Sequence, residues 1–357
     1  MIKVRPATAL NVLLIFVPVP IIGHRMGLPS PIVFITAALA IIPLANLMGR
    51  ATEFLSERVG VGVGSLVNST FGNACELIIG CAALRAGLID VVEASITGSI
   101  IGNVLLVLGA STLAGGLKYE KQTFNRTAAT TSATLLALAA ISLTVPAVFH
   151  YTAHGAQENA TKLALAISCV LFVTYILGLV FSLKTHRDLY ACQADDEVDT
   201  ALGIKSWSMR KSLVILIVSA SLVAVLSEYL VHAIAATAHA LGVSNIFIGV
   251  ILVAIIGNAA EHSTAVLMAM RNKMDLAINI ALGSGTQIAL FVAPILVFAG
   301  FLLHQPMDLC FTELEVLSIV VSVIILAFVT TDGECNWLEG VQLLAVYLIL
   351  GAAFYFS

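Results

Sequence analysis

The chain has 357 residues, 59% hydrophobic and 11% charged, with a formal net charge of -4 and a mean hydropathy of +1.03. Soluble domains carry about 25% charged residues, so a soluble globular protein is excluded and most of the surface must meet lipid. The small net charge therefore says little about partners, and nucleic acid is not expected among them. The six cysteines, Cys75, Cys81, Cys169, Cys192, Cys310 and Cys335, show no CxxC or paired spacing. Those within apolar runs behave as small hydrophobes, and neither a disulfide framework nor a zinc site is read from them.

A membrane-crossing helix needs about 20 mostly apolar residues, and such runs recur from end to end. Lys3 and Arg5 precede "ALNVLLIFVPVPIIG", but no small-x-small cleavage site follows, so a first membrane helix is expected rather than a signal peptide. Breaks at charged, Gly and Pro clusters then give eleven helices: 8–23, 31–56, 61–85, 91–115, 125–149, 159–183, 211–238, 245–270, 276–303, 312–331 and 337–356. The expected fold is all-α and integral to the membrane. It divides into a first helix and loop (1–30), five helices (31–184), a polar linker (185–210) and five more helices (211–357). The linker's "DDEVD" cluster reads as a solvated face.

Lys and Arg set the orientation, because they concentrate on the cytoplasmic side. The N-terminus and the loops after even-numbered helices hold thirteen of them, the loops after odd-numbered helices hold three (Arg25, Arg85 and Lys162), and Arg50 falls within a helix. The N-terminus is thus expected in the cytoplasm and the C-terminus outside.

Two acids interrupt the apolar runs. Glu76 stands in "NSTFGNACELIIG" and Glu261 in "IIGNAAEHSTAV". A shift of 185 residues superposes the two stretches without a gap: Gly72, Asn73, Ala74 and Glu76 land on Gly257, Asn258, Ala259 and Glu261. Farther on, Asp90, Gly98 and Ser99 land on Asp275, Gly283 and Ser284. Identity concentrated in rare polar residues and glycines marks a duplicated unit. Each copy holds five helices, an odd number, so the copies enter the membrane from opposite sides. That is the inverted-repeat architecture of secondary transporters, with a site at the midplane where the copies meet.

An ionised carboxylate at a helix centre costs about 2.5–3.5 kcal/mol on insertion scales. Protonation, a basic partner or a bound cation removes that cost. No Lys or Arg lies inside the two Glu-bearing helices, which leaves protons and cations. If the repeat brings Glu76 and Glu261 together, both compete for the same oxygens, and the pair titrates as one unit. Carboxylate, amide and carbonyl oxygen without His–Cys clustering suits Ca²⁺, which takes six to eight ligands at about 2.3–2.6 Å. Gly72 and Gly257 are expected to break their helices and release carbonyls toward the site. Asn73 and Asn258 offer amide oxygens three residues before each Glu, on the same helical face. Ser99, Ser284, Asn103 and Gln287 add polar atoms on the following helices. Close packing and helix–helix hydrogen bonding are the competing roles for these small and polar residues. His262, about 100° from Glu261 around the helix, is expected behind the site or handling protons. Glu53 and Glu228 either line an access path or stand at helix ends. Asp90, Glu93 and Asp275 fall at helix starts, where acids suit the dipole.

At these residues the chain resembles a known family. "GNACELIIG" and "GNAAEHSTAV" are similar to the two signature motifs of the calcium/proton exchangers, within the calcium:cation antiporter superfamily, and "VVEASITGSIIGNVLLVLG" and "GSGTQIALFVAP" resemble the segments that follow them. The resemblance covers nearly the whole chain. It implies a Ca²⁺/H⁺ antiporter with Glu76 and Glu261 as the exchanging carboxylates, Asn73, Asn258 and Gln287 lining the site, and Ser99 and Ser284 as candidates. Cys75 stands where the family commonly has Thr, and the linker is short. Sodium/calcium exchangers of the superfamily typically carry a Ser-Leu-Pro-Glu motif, and Gly-Asn-x-x-Glu here favours protons as counter-ion. The transported ions would be Ca²⁺ and H⁺, without a cofactor. The alternatives are a Na⁺-coupled exchanger, a passive divalent-cation channel or an intramembrane enzyme; the last lacks an Asp pair or HExxH helix. A prokaryotic plasma membrane is the expected location, with a vacuolar membrane as the alternative. Oligomeric state is left open.

Overall fold

The computed structural model describes residues 10–56, 58–59, 64, 67–68, 70–152, 157–186 and 207–357. In chain order the helices are α1 (Asn11–Arg25), α2 (Ser30–Ser56), α3 (Ala74–Arg85), α4 (Ile89–Gly116), α5 (Arg126–Thr152) and α6 (Asn159–Thr185). After the linker follow α7 (Met209–Leu241), α8 (245–269), α9 (Met274–Leu302), α10 (Glu313–Val329) and α11 (Trp337–Phe356). The linker's acidic cluster lies outside the described residues, as does part of the expected helix 61–85.

Local chemistry sets several boundaries. Ser208 accepts a hydrogen bond from the Lys211 backbone N–H to start α7, and Gly242, with φ of 68°, ends it in the left-handed conformation that glycine adopts without strain. Thr312 with Glu315, and Asn336 with Glu339, form reciprocal caps that start α10 and α11.

Among the described residues, seven helices are long and apolar enough to cross a membrane, or eight if the two segments of α8 count as one span. Of the eleven spans expected from the sequence, these seven or eight have the length and hydropathy of a full span. α3 runs for 12 residues because the chain turns at Gly72 and Asn73 before it. α10 has 17 residues, and α1 is a short apolar helix begun by a tighter 3₁₀ segment. α8 changes direction by 69° between Asn245–Ala259 and Glu261–Ala269. Wider π-turns interrupt α4 at Gly102–Val107, α8 at Ile248–Val253 and α9 at Ile288–Val292.

α2 and α7 pack against each other most extensively, α4 lies along α11, and α8 contacts α2, α4 and α9. One end of the bundle is stapled by its loops. β1 (Gln122–Thr123) pairs antiparallel with β2 (Glu334–Cys335), with Gln122 opposite Cys335. Lys121 forms an ion pair with Glu334. Lys118 Nζ donates to the Met270 carbonyl at 2.9 Å, and buried Gln122 donates to the Ala269 carbonyl at 2.9 Å. The loops that follow α4, α8 and α10 therefore share one face.

Gln122 satisfies two acceptors, the Ala269 carbonyl and Asn272 Oδ1 at 3.1 Å. Gln122→Leu removes both bonds, leaving the Ala269 carbonyl only the Asn272 backbone N–H, and should cost about 0.5–1.5 kcal/mol for each bond lost, read as a lower thermal unfolding midpoint in detergent.

Candidate functional site

The site begins where two interrupted helices meet. Asn73 has φ of -95° and ψ of 18°, outside the helical range, and Glu76 follows in the first turn of α3. Glu261 sits at the bend of α8. The break expected at Gly257 falls a few residues later instead, and Gly257 is needed for another reason. A Cβ there would lie 3.2 Å from Glu76 Oε1 and 3.3 Å from its Cγ. The backbone of α8 is thus the surface on which the Glu76 side chain rests, and a larger residue would push the carboxylate away.

The Glu76 and Glu261 carboxylates are close enough to act on each other electrostatically. Ser284 lies beside the Glu261 carboxylate. Oε2 of each glutamate is buried without a hydrogen-bond partner among the described residues. An unpaired buried carboxylate oxygen is costly, so this arrangement calls for a proton or a cation.

Both acids line a cavity of about 340 Å³. Its wall is built from α2 (Asn46, Arg50 and Glu53 among others), Gly72 and Cys75, α8 at Gly257 and Thr264, and the first half of α9 through Asn279, Gly283, Ser284 and Gln287. It runs from the carboxylates toward the end of α2 and the start of α9. Arg50, the one basic residue on this wall among the described residues, stacks over the Trp207 ring at 4.7 Å, which holds its charge near the cavity mouth. A second cavity, of about 20 Å³, lies beyond Glu76 and Gly257 and is lined by Ile79, Ser95, Ser99, Val253 and apolar residues of α9.

Behind the cavities runs a buried polar network. Asn258 Nδ2 donates to Ser99 Oγ at 3.0 Å and to the Ala254 carbonyl at 2.9 Å. Asn103 Nδ2 donates to Asn258 Oδ1 at 3.2 Å and to Ser284 Oγ at 2.9 Å. Asn73 Nδ2 donates to Gln287 Oε1 at 2.5 Å. Every one of these bonds outside α8 itself joins the first half of the chain to the second.

The expected residues therefore divide. Glu76, Glu261, Gln287, Ser284, Gly72, Gly257 and Glu53 line the large cavity, and Ser99 lines the small one. Asn73, Asn258 and Asn103 brace the halves, with Asn258 Oδ1 accepting from Asn103 rather than facing the cavity. His262 lines neither cavity, and Glu228 pairs with Arg85 at 3.3 Å on the outside of the bundle. Sequence reasoning missed Asn46, Asn68, Thr264 and Asn279 as cavity walls. Among the described residues no three His, Cys, Asp or Glu side chains gather as a metal cage. A cation held by the two carboxylates would thus complete its shell with Gln287, Ser284, main-chain oxygen and water.

A bundle of apolar helices, two of them interrupted to place paired acids on an internal cavity, is the architecture of a membrane ion transporter. The chain belongs to the sodium/calcium exchanger protein family, whose profile matches residues 29–184 and 211–356. It is 45% identical to the Ca²⁺/H⁺ antiporter of Aphanothece halophytica over 96% of this chain and 95% of that one. It is 44% identical to the Ca²⁺/H⁺ antiporter ChaA of Bacillus subtilis over 95% and 96% of the two chains. The solved structure of native YfkE superposes with a TM-score of 0.85 at 40% identity, covering 98% of this chain and 99% of that one.

The network and the outer ion pair should respond differently to mutation. Asn258→Leu takes one partner from Asn103, which keeps Ser284, and the Asn258 amide from Ser99, and should cost about 1–3 kcal/mol. Arg85→Ala removes a pair whose side chains are 65% and 54% exposed and should cost less than about 1 kcal/mol. Thermal unfolding midpoints of the two variants in detergent test the contrast.

Proposed function

We propose that the chain is a secondary antiporter that exchanges Ca²⁺ for H⁺ across a membrane, with Glu76 and Glu261 holding either the cation or protons. One observation carries the reading: two carboxylates, each with a buried oxygen lacking a hydrogen-bond partner among the described residues, meet at the inner end of a 340 Å³ cavity. Bare, the pair repels and is poorly solvated; with Ca²⁺ or with protons it is neutral. The two loads exclude each other because they use the same oxygens, and that exclusion is what obligatory exchange requires. Relatives named Ca²⁺/H⁺ antiporter, 44–45% identical over nearly the whole chain, support the choice of ions.

The transport cycle follows from the inverted repeat. In this reading eleven segments traverse or enter the membrane, one ahead of two five-helix copies, and the linker joins the copies. The two cavities support it. Glu76, Ile79, Ser95, Ser99, Val253 and Gly257 of the small cavity, shifted by 185 residues, become Glu261, Thr264, Ile280, Ser284, Asn68 and Gly72, all of which line the large one. The same shift carries the π-turn residues 288–292 of α9 onto 103–107 of α4. One access route is therefore open and its mate is collapsed, and exchanging their roles moves the site from one side of the membrane to the other. The positive-charge bias assigns the open route to the cytoplasm, with the N-terminus on that side.

In proteoliposomes an imposed pH gradient should drive ⁴⁵Ca uptake with Na⁺ absent. Uptake that needs Na⁺ instead would establish the sodium-coupled alternative, and conductance without coupling would establish a channel. Glu76→Gln and Glu261→Gln should each abolish exchange while the protein still inserts and folds, and wild-type rates in either would overturn the assignment. Lowering the pH should weaken Ca²⁺ binding, since protons take the same oxygens; equilibrium ⁴⁵Ca binding between mildly acidic and alkaline pH checks the sign.

A further inference from the structure

A second group of acids lies away from both cavities, where the start of α4 meets α10 and the loop between α9 and α10. Glu93, on α4, is 4% exposed, and its Oε1 is buried without a hydrogen-bond partner among the described residues. Asp90, Asp308 and Glu315 all lie close enough to act on it electrostatically. The helix dipole does not account for Glu93. That effect falls off within the first turn, which suits the exposed Asp90, whereas Glu93 stands beyond it.

The neighbouring carboxylates are already engaged. Glu315 Oε2 accepts from the Thr312 N–H at 2.8 Å and from its hydroxyl at 2.7 Å, and Glu315 Oε1 accepts from Thr97 Oγ1 at 3.4 Å. Asp308 Oδ1 accepts from the Cys310 N–H at 3.2 Å, beside the Glu93 carboxyl. Leu309, between those two residues, is held at φ of 56°, a left-handed conformation unfavourable for leucine. From the other elements packed here, the start of α8 (Asn245–Val253) brings no titratable residue, Arg85 at the end of α3 pairs with Glu228, and Glu313 and His304 are exposed. The fold itself does not require an acid at this crossing. The shift of 185 residues carries Glu93 to Ile278 and Thr97 to Leu282, both buried, and sets Glu315 and Asp308 against Thr130 and Thr123. The corresponding contact of α9 with α5 is thus built without these acids.

We infer that Glu93 is a proton-binding site of its own, outside the transport cavities, whose proton seats α10 and the α9–α10 loop against the start of α4. A buried carboxylate oxygen without a donor is costly, the acids around it add repulsion, and a proton removes both. Among the described residues no three of these side chains gather to hold a metal, and one bare oxygen matches one proton. When alkaline solution takes that proton away, a bare charge joins Asp90, Asp308 and Glu315 and pushes the loop, with its left-handed Leu309, off the helix. α4 also carries Ser99 and Asn103 of the buried network, so its seating decides how firmly that network is held. On the orientation proposed above, this end of α4 faces away from the cytoplasm, and the site answers to the solution on that side. The side rests on that reading; the proton site does not.

The test compares the wild type with Glu93→Gln, a neutral side chain of the same shape. In difference infrared spectra of the two proteins in detergent, the wild type alone should show the carbonyl band of a protonated carboxyl at neutral pH, and that band should shift in D₂O and be lost at alkaline pH. Ca²⁺/Ca²⁺ exchange in proteoliposomes, with the same pH on both sides, should fall together with the band in the wild type. Glu93→Gln should match the wild type at neutral pH and hold its rate into the alkaline range. Glu93→Ile, which places the other copy's residue at this position, should lose the band and the alkaline fall as well, and it decides the matter if Glu93→Gln does not fold. Identical spectra at neutral pH overturn the inference, and so does a band that persists throughout the alkaline range or an alkaline fall that both variants share with the wild type. If the wild type exchanges no Ca²⁺ at all, the antiporter reading falls, and the infrared band alone decides the proton site.

Discussion

Two carboxylates held away from bulk water, in a bundle of apolar helices, govern the rest of this molecule. Water solvates a carboxylate far better than an apolar interior does, so Glu76 and Glu261 impose conditions on everything around them. The helices that carry them must be interrupted to bring them together, one by the turn at Gly72 and Asn73, the other by the bend of α8. The neighbouring wall must supply neutral oxygens rather than a lysine or arginine in contact. The cavity-wall arginine, Arg50, is stacked on Trp207. Most of the polar groups that line the cavity are carboxylate, amide and hydroxyl oxygen, with the Cys75 thiol beside them.

The same constraint explains why so much polar chemistry lies behind the cavity rather than in it. Asn73, Asn103 and Asn258 are all fully buried, and their amide N–H groups tie one half of the chain to the other. Hydrogen bonds between helices in lipid contribute only modestly each, but they have direction. They fix the rotation of α3, α4, α8 and α9 about their axes, and thereby where each carboxylate points. The β1–β2 pair and the Lys118 and Gln122 bonds do similar work at one end of the bundle.

Much of this was legible in the residues because acids and asparagines are rare against Leu, Ile and Val, so their recurrence at a fixed spacing stands out. The two glutamates, Ser284 and the glycines of the motifs were singled out that way, whereas Gln287 stood out only as a polar residue on the helix after Glu261. The method is blind where the copies have diverged. Asn68 corresponds to Val253 and Asn279 to Ala94, so neither is marked by repetition, yet both line the large cavity. Asn258 was expected to offer its oxygen to the site, and the sequence could not show that Asn103 already claims it. Hydropathy registers apolar runs, and the turn at Gly72 and Asn73 before α3 is a backbone event that such a run does not announce. Gly257 was picked out correctly as special and given the wrong job, because a close approach by Glu76 leaves no trace in one dimension.

The divergence of the network has a kinetic meaning. Asn103, which links Asn258 and Ser284, corresponds to Ile288, and Gln287, which takes the bond from Asn73, corresponds to Gly102. The two halves are therefore fastened by different bolts, and no symmetry obliges the inward and outward strokes to face equal barriers. A carrier built this way has a preferred resting orientation even with identical solutions on either side, and its throughput is set by whichever stroke must undo the tighter set of fastenings.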